Sequence, residues 1–195
     1  ICSPAPNAGA AKRVNASKLL RSPLIFDMED SLVESRGSEK LPLHKRVCYG
    51  VVMELRTPNS NDFSEVKSAL RQIGLLKARA QYELYEREMS STDRTVLICR
   101  VEGRFAGIVT IQWHSFYPFF VFFRIPEVTD LNVLPQFRRK GIGERLMRDC
   151  ERIAKMRGHG QLGLGVGLTA DYGSAQRLYI RLGYVPDGNG IYFRS

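Results

Sequence analysis

Val133-Leu-Pro-Gln-Phe-Arg-Arg-Lys-Gly-Ile-Gly-Glu144 joins a strand pattern, which ends near Pro135, to the start of an amphipathic helix pattern. It places the cations of Arg138 to Lys140 next to Gly141 and Gly143. The free N–H groups and positive dipole end of a helix's first turn favour anions, and glycine lets the backbone approach a phosphate closely. The stretch therefore predicts an anion site, most naturally for a diphosphate. A basic turn that binds nothing has the same pattern, and the GxxxxGK[ST] spacing of a Walker A loop is absent.

The segments on either side alternate between strand and helix patterns. They are a strand at 51–55, helices beginning near Asp62 and Leu76, strands at 95–101, 105–113 and 127–134, a helix at 141–156, a strand at 162–168, a helix at 174–182 and a last strand from Gly183. This order predicts an α/β fold in which helices flank both faces of a mixed sheet.

Residues 1–50 carry no sustained apolar period of 3.6 or 2 and are rich in Ser, Ala, Pro and charge. They predict a poorly ordered extension ahead of a single domain at 51–195. Up to residue 26 this extension has basic residues but no acidic ones, as organelle transit peptides do, so import is an alternative. A third interpretation takes Met53 as the natural start, which would leave residues 1–52 with little part in function.

Composition narrows the class of protein. The 195 residues include 29 Lys and Arg against 20 Asp and Glu, and the net charge of +9 favours nucleic acid, an anionic surface or a phosphorylated cofactor as partner. No run approaches the roughly 20 apolar residues of a membrane span. Four separated cysteines predict a reducing, cytoplasmic setting, and three histidines without ligand spacing predict no metal site.

Two motifs resemble those of the GNAT N-acetyltransferase superfamily. Arg138-x-x-Gly141-x-Gly143 is similar to its [QR]-x-x-G-x-[GA] signature, with a strand before it and a helix after it. Ala175-Gln-Arg-Leu-Tyr-Ile-Arg-Leu-Gly-Tyr184 is similar to its A-x-x-L-Y-x-x-x-G-[FY] helix-to-strand motif. The two motifs stand in the family's order and separation, and the resemblance extends over residues 94–185.

The resemblance implies acetyl-CoA as the donor. The pyrophosphate would rest on the backbone N–H groups of the turn, whose residues are Arg138, Arg139, Lys140, Gly141, Ile142 and Gly143. The pantetheine would lie between two splayed parallel strands, 127–134 and 162–168. The basic side chains would also reach the 3′-phosphate, so part of the positive charge would serve the cofactor rather than nucleic acid.

Acetyl transfer to an amine needs a deprotonated nucleophile, donors for the oxyanion and a proton for the leaving thiolate. By resemblance Tyr179 is the acid, although its spacing alone indicates core packing. Glu127 and Asp130 are the candidate bases, and at three residues apart on a strand they face opposite sides unless a bulge intervenes. Glu127 stands eleven residues before the signature, where many members carry a glutamate base, so the resemblance favours Glu127 over Asp130. A main-chain N–H near Asn132 or Val133 would bind the oxyanion.

Three further segments bear on the site. Tyr172 stands where many members carry the Asn that contacts pantetheine, so that contact is in doubt. Residues 158–163 match GxGxxG but follow a helix and enter a strand, the reverse of a dinucleotide-binding fingerprint. Residues 113–123 contain seven aromatics in eleven, and they predict a buried hairpin or an acceptor-pocket wall rather than a base-stacking platform, because Arg124 is their only cation.

These patterns predict an acetyl-CoA-dependent N-acetyltransferase in which a primary amine attacks directly in a ternary complex. The alternative is a module of the same fold that retains CoA without turnover. The acceptor is left open among a polyamine, an antibiotic amine, an amino acid and a protein amine, and so is a homodimer; membrane and nucleic acid are not favoured partners. Because only residues 191–195 follow the last turn signals, the final strand is expected to be short or missing, and a missing strand would leave an unpaired sheet edge.

Overall fold

The computed structural model describes residues 20–28, 44–48, 51–74 and 79–193, which form nine strands and five α-helices. The strands are β1 (Leu20–Asp27), β2 (His44–Cys48), β3 (Val51–Arg56), β4 (Arg94–Val101), β5 (Arg104–Gln112), β6 (Glu127–Val133), β7 (Gln161–Gly167), β8 (Val185–Pro186) and β9 (Tyr192–Phe193). The α-helices are α1 (Ser60–Gln72), α2 (Arg79–Ser90), α3 (Pro118–Phe123), α4 (Ile142–Met156) and α5 (Gly173–Leu182).

The strands form one mixed sheet. Its order is β2-β3-β4-β5-β6-β7-β1-β8, and β9 also pairs with β1. Neighbouring strands run antiparallel, except that β6 and β7 run parallel. The α/β fold with a mixed sheet that the sequence predicts is confirmed.

Helices cover both faces of this sheet. Because side chains alternate along a strand, Thr110 of β5 projects to one face of the sheet, and a side chain at position 107 would project to the other. Arg94 donates to Thr110 and pairs with Glu88 of α2, so α2 covers the Thr110 face. On the other face, a Cβ on Gly107 would lie 3.4 Å from Leu146 of α4. The sheet is therefore the middle layer of the domain.

The amphipathic pattern of α4 is the clearest local signal in the chain. Its core-facing side chains are completely or almost completely buried: Ile142, Leu146, Met147, Cys150, Ile153 and Ala154. Gly141 precedes the helix with φ +76°, a left-handed conformation that glycine adopts without steric cost. The apolar stripe fixes α4 against the sheet, and Gly141 fixes where the helix begins.

α1 begins at a capping box. The Asn59 side chain accepts hydrogen bonds from the N–H groups of Asn61 and Asp62, and the Asp62 carboxylate accepts one from the Asn59 N–H at 2.7 Å. The same carboxylate accepts hydrogen bonds from Arg56 of β3 and Arg100 of β4. The hydrogen bond from Arg56, above all, holds the pKa of Asp62 well below its usual range. This network ties α1 to the two strands.

The N-terminal region differs from its prediction. Two segments of the expected poorly ordered extension, β1 and β2, are strands of the sheet. β1 pairs with β7 in seven residue pairs, from Arg21 opposite Gly167 to Asp27 opposite Gln161, and β2 pairs with β3. The prediction is wrong for these two segments, and the rest of the extension lies outside the described residues.

The unpaired sheet edge that would follow from a missing last strand is not found among the described residues. β8 and β9 have two residues each, and both pair with β1. The position beside β7 is filled by β1, from the other end of the sequence. β7 therefore has a full partner on that side, and the length of the last strand stays a prediction, because residues 194–195 lie outside the described residues.

The aromatic segment forms a short helix rather than a buried hairpin, so the hairpin alternative is wrong, while the acceptor-pocket wall stays a prediction. Phe120 is the buried side chain of α3, and its ring lies over Gly163, where a Cβ would come within 2.4 Å of it. Phe122 and Phe123 are 79% and 54% exposed. Arg124 ends the helix in the left-handed conformation, with φ +54°.

Candidate active site

The anion site predicted from the sequence is a turn at the N-terminus of α4. Arg139 and Gly141, with φ +61° and +76°, are both left-handed and turn the chain sharply between β6 and the helix. The first helical hydrogen bond runs from the Arg145 N–H to the Gly141 carbonyl at 2.9 Å. The N–H groups of residues 142–144 come before it and have no acceptor within the helix, so they are available to an anion.

The two glycines of the turn are required for different reasons. A Cβ on Gly141 would meet no atom within 4 Å, so its requirement is the positive φ. A Cβ on Gly143 would lie 3.2 Å from Leu178 of α5 and 3.9 Å from Val133 of β6. A larger side chain at Gly143 would therefore push α4 away from its neighbours and change the shape of the turn.

The three basic side chains of the turn, Arg138, Arg139 and Lys140, are exposed. The Arg138 Nε donates to the Val133 carbonyl at 3.0 Å, which holds the guanidinium beside the end of β6. The Lys140 Nζ lies 5.7 Å from the centroid of the Phe137 ring. Two of the three cations thus have a fixed contact within the segment that joins β6 to α4.

A cleft opens between β6 and β7 because these strands pair over two residues only. Glu127 lies beside Gly163 and Val128 beside Leu164, and the strands part beyond these pairs. Over residues 129–133, β6 pairs with β5 on one side and with no described strand on the other. The splayed parallel strands implied by the resemblance are therefore present, and their opening adjoins the turn before α4.

Backbone alternation identifies which end of β6 can donate into this cleft. The Leu134 N–H donates to the Ala106 carbonyl of β5 at 2.9 Å. Asn132, two residues earlier, faces β5 as well, while the backbone of Val133 faces the other way. Of the two residues proposed to supply the oxyanion donor, Val133 is the one whose N–H points into the cleft.

β7 forms the opposite wall. The Gly163 N–H donates to the Pro126 carbonyl at 2.9 Å, so by alternation the backbone of Gly165 also faces the cleft. At the end of the strand the Tyr172 ring covers Gly167, where a Cβ would lie 2.5 Å from the ring. The residue that departs from the family pattern is therefore an aromatic cover on this wall.

The two candidate bases have different surroundings. Glu127, 6% exposed, lies in the paired part of β6 and accepts a hydrogen bond from Ser115 Oγ at 2.7 Å. Asp130 lies at a β-bulge with φ +58°, just beyond the last pair between β6 and β7. Its carboxylate accepts a hydrogen bond from the Tyr85 hydroxyl of α2. Asp130 is thus the carboxylate at the mouth of the cleft.

The bulge also decides which face each carboxylate occupies. Glu127 is directly opposite Gln112 of β5, and Gln112 accepts a hydrogen bond from Arg94 on the face covered by α2. Asp130 contacts Tyr85 of α2 and therefore lies on that face as well. A regular strand would have separated the two carboxylates, and the bulge brings them to the same side.

Tyr179, the candidate acid, lies in α5. It is 7% exposed, and its ring centroid is 6.0 Å from that of Tyr184. This placement in the core agrees with the packing that its helical spacing indicates. Its role as proton donor stays a prediction.

Three residues of the site region were not predicted from the sequence: Tyr85, Arg94 and Ser115. Tyr85 and Ser115 each donate to a candidate base, and Arg94 donates to Thr129 beside the bulge. The one available signal was Arg94, two residues before the apolar run at 96–99, because a cation beside a buried strand needs partners for its donors. The other two carry no local signal, since they meet β6 only through tertiary packing.

Two of the described cysteines have surroundings that disfavour the thiolate form. Cys99 and Cys150 are free and buried. Burial raises the pKa of the Cys99 thiol to about 12, and it raises the pKa of Cys150 well above its ordinary value. Among the residues that the structure describes, no group of three or more His, Cys, Asp or Glu side chains could hold a metal ion. Likewise, no described helix is long and apolar enough to cross a membrane.

Comparison with known proteins agrees with this geometry. Residues 92–186 match a family model described as an acetyltransferase (GNAT) domain. The aminoglycoside N-acetyltransferase AAC(6')-Iy, in complex with the bisubstrate analogue CoA-S-monomethyl-acetylneamine, is 16% identical over 73% of this chain and 97% of its own, with a TM-score of 0.61. A predicted acetyltransferase from Clostridium acetobutylicum, solved with acetyl-CoA, is 13% identical over 70% and 92%, with a TM-score of 0.57. No curated protein sequence matches the chain.

The matched segment contains the elements that build the site. It runs from β4 to β8 and includes both walls of the cleft, the turn before α4 and the whole of α5. An acetyltransferase from Trypanosoma brucei, 19% identical over 68% of this chain and 92% of its own with a TM-score of 0.52, shares the same fold. Residues 92–186 therefore form a GNAT acetyltransferase domain.

Proposed function

We propose that this protein transfers an acetyl group from acetyl-CoA to a primary amine. The observation that carries the proposal is the opening between β6 and β7 beside the turn before α4. A CoA thioester needs a slot for its pantetheine arm and an anion site for its pyrophosphate, and here the two adjoin. The C. acetobutylicum structure holds acetyl-CoA in the same fold, which supports this cosubstrate.

The residues present suit acetyl-CoA. The N–H groups of residues 142–144 would bind the pyrophosphate, and the cations at 138–140 would add charge and reach the 3′-phosphate. The backbone of Gly165 would hydrogen-bond the pantetheine arm. The thioester supplies the electrophilic carbonyl, and the Val133 N–H would donate to the oxyanion that forms on it.

Asp130 is the carboxylate that we propose as the base. It lies at the mouth of the cleft on the α2 side, where an incoming amine would meet it before reaching the thioester. Glu127 is the alternative and would act through a water molecule or hold the cation of the substrate. Glu127 is buried and hydrogen-bonded to Ser115, which supports ranking it after Asp130 as the base.

Attack by the amine forms the C–N bond and breaks the C–S bond, and the leaving thiolate then takes a proton. We propose Tyr179 as its donor. The buried, unreactive thiols of Cys99 and Cys150 support direct attack over an acyl-enzyme. Their free state also supports the reducing, cytoplasmic setting predicted from the sequence.

The test combines titration calorimetry with acetyl-CoA and an assay of thiol release. The amines are a polyamine, an aminoglycoside, an amino acid and a lysine-containing peptide. We expect binding of acetyl-CoA and thiol release that depends on one of the amines. Binding without release would favour a CoA-retaining module of the same fold, and absence of binding would overturn the assignment of the cleft.

Tyr179→Phe tests the proposed acid in the same assay. The variant keeps the ring in the core and loses only the phenolic proton, so kcat should fall while the affinity for acetyl-CoA is unchanged. An unchanged kcat would leave Tyr179 as a packing residue.

A further inference from the structure

A buried polar cluster lies where α2 packs against the bulge of β6. We call it the bulge cluster, and its members are Tyr85 and Glu88 of α2, Arg94 of β4, Thr110 of β5, and Thr129 and Asp130 of β6. It joins one helix to three adjacent strands. Two of its members, Tyr85 and Glu88, come before the segment that matches the family model.

Arg94 is the centre of the bulge cluster. It is 6% exposed, and its Nε pairs with Glu88 Oε2 at 2.5 Å. Its Nη1 donates to Thr110 Oγ1 and Thr129 Oγ1, both at 3.2 Å. A buried guanidinium is costly unless its donors find partners, so these contacts hold α2 in one position relative to β6.

Tyr85 extends the cluster to the candidate base. It is 3% exposed, and its hydroxyl donates to Asp130 Oδ2. The Arg94 guanidinium lies 4.6 Å from the centroid of its ring. Core packing and a buried cation therefore fix where the hydroxyl points.

Asp130 occupies a backbone position that needs such support. Its φ of +58° is left-handed, which is unfavourable for a residue with a Cβ. Its carbonyl accepts a hydrogen bond from the Asn132 side chain at 3.0 Å, and Thr129, beside it, bonds to Thr110. The backbone is thus held by β5 and β6, and the Tyr85 hydroxyl selects the orientation of the carboxylate.

We propose that Tyr85 is a positioning residue for acetyl transfer: its hydroxyl holds the Asp130 carboxylate at the cleft mouth in the orientation that receives the amine, and Arg94 fixes Tyr85. This inference rests on the proposed function. It assigns to α2 a part in activity beyond covering the sheet.

Tyr85→Phe removes the hydroxyl and keeps the ring. We expect kcat/KM for the amine to fall about tenfold, the effect of one hydrogen bond to a charged group. The affinity for acetyl-CoA and the melting temperature should stay close to those of the wild type. Ser91→Ala is the control, because the Ser91 hydroxyl donates to Asp93 Oδ2 at 2.7 Å, which is also a hydroxyl-to-carboxylate bond, and neither residue belongs to the bulge cluster. The control should keep wild-type kinetics.

Double-mutant cycles show whether Tyr85 acts through Asp130. Tyr85→Phe combined with Asp130→Asn should be no slower than Asp130→Asn alone, since the hydroxyl would have lost the group it positions. In a Glu127→Gln background the loss from Tyr85→Phe should be the same as in the wild type. Full additivity with Asp130→Asn, or coupling to Glu127 instead, would overturn the assignment.

The two proposals fail in different ways. A wild-type protein that releases no thiol with any amine removes the proposed function and this role with it. An active wild type with an unaffected Tyr85→Phe variant removes the role alone. If Tyr85→Phe loses its cooperative unfolding transition, Asp130→Asn tests the same contact from the other side, and wild-type kinetics in that variant would overturn the role.

Discussion

β7 has two neighbours, and the difference between them explains how the cleft is kept both open and firm. β6 runs parallel to it and pairs over two residues, whereas β1 runs antiparallel and pairs over seven. Beyond Leu164 the sheet partner of β7 is β1, which lies opposite residues 165–167 with residues 21–23. The β6 side of β7 can stay unpaired, and so leave room for a ligand, because hydrogen bonds to β1 hold β7 in place from the other side.

β1 has a structural role although it carries no family motif. The β6 side carries the glycine turn and the candidate bases, while the β1 side carries no side chain proposed to touch acetyl-CoA. Its contribution is to hold the second half of β7 in place. Loss of β1 should therefore damage binding as severely as a change in the turn.

Removal of β1 should have the largest effect. A chain lacking residues 1–28 loses the partner of β7, so we expect loss of cooperative unfolding and of acetyl-CoA binding, measured by circular dichroism and calorimetry. A chain lacking residues 1–19 keeps β1 and is the matched control, which should bind normally. If the chain lacking residues 1–28 folds and binds acetyl-CoA, β1 is dispensable.

A destabilising substitution far from β7 distinguishes a general loss of stability from the loss of the cleft wall that β7 forms. Asp62→Asn breaks the network of Arg56 and Arg100, and at pH 7 it should lower the free energy of unfolding by about 2 kcal/mol, the order of a hydrogen bond to a charged group. Acetyl-CoA affinity, measured below the melting temperature, should not change. Glu65→Gln is the matched control, since Glu65 is 44% exposed and pairs with the same Arg100; its cost should be below about 1 kcal/mol.

The pH dependence of the Asp62 effect follows from the direction of its pKa shift. The folded state lowers this pKa, so the carboxylate stabilises the protein above its unfolded pKa of about 3.9 and loses that contribution as the pH falls toward the native value. The difference between wild type and Asp62→Asn should be complete at pH 7 and shrink below about pH 4. A difference that stays constant down to pH 3 would show that the loss comes from the cap geometry rather than from charge.

Two glycines with the same backbone conformation sharpen the comparison on the β6 side. Gly141 and Gly158, before and after α4, have φ +76° and +82°, and a Cβ on either would meet no atom within 4 Å. Alanine at either position should cost about 1–2 kcal/mol of strain. Only Gly141→Ala should weaken acetyl-CoA binding, because relaxation there moves the N–H groups of residues 142–144. Equal affinities in the two variants would place the pyrophosphate elsewhere.

The sequence predicts the β6 side well because its signals are local. The helical stripe of α4, the glycine turn and the strand before it lie within about thirty consecutive residues, and each has its own periodicity. The same is true of the hairpin that became β4 and β5. The carboxylates were found, but their shared face depends on the bulge at Asp130, which no local pattern indicates.

The β1 side could not be predicted for two physical reasons. β1 pairs with a strand about 140 residues later, so its stability comes from a contact that sequence periodicity does not report. It also contains Pro23, and a proline within a short apolar run indicates an edge or a break rather than a central strand. α3 was missed for the opposite reason, since its aromatic residues have high strand propensity and Pro118 sets a helix start instead.

Pro23 itself gives the smallest expected effect and the sharpest test of the register of β1. The Met28 N–H donates to the Gly160 carbonyl of the segment that leads into β7. By alternation the backbone N–H and C=O groups of Ser22 and the other even-numbered residues of β1 point toward β7, and the backbone of Pro23 points away from it. On that outer side β8 pairs with residues 24–25 and β9 with residues 20–21, which leaves Pro23 opposite the gap between them.

Pro23→Ala should therefore restore an N–H that has no strand to bind, and the free energy of unfolding should change by no more than about 1 kcal/mol. Ser22→Pro, one residue earlier, removes a donor that faces β7, and it should cost about 1–3 kcal/mol because the acceptor on β7 loses its partner. Thermal unfolding of the two variants decides between registers. If Pro23→Ala were the more disruptive change, β1 would be shifted by one residue, and its backbone would present the wrong groups to the wall of the cleft.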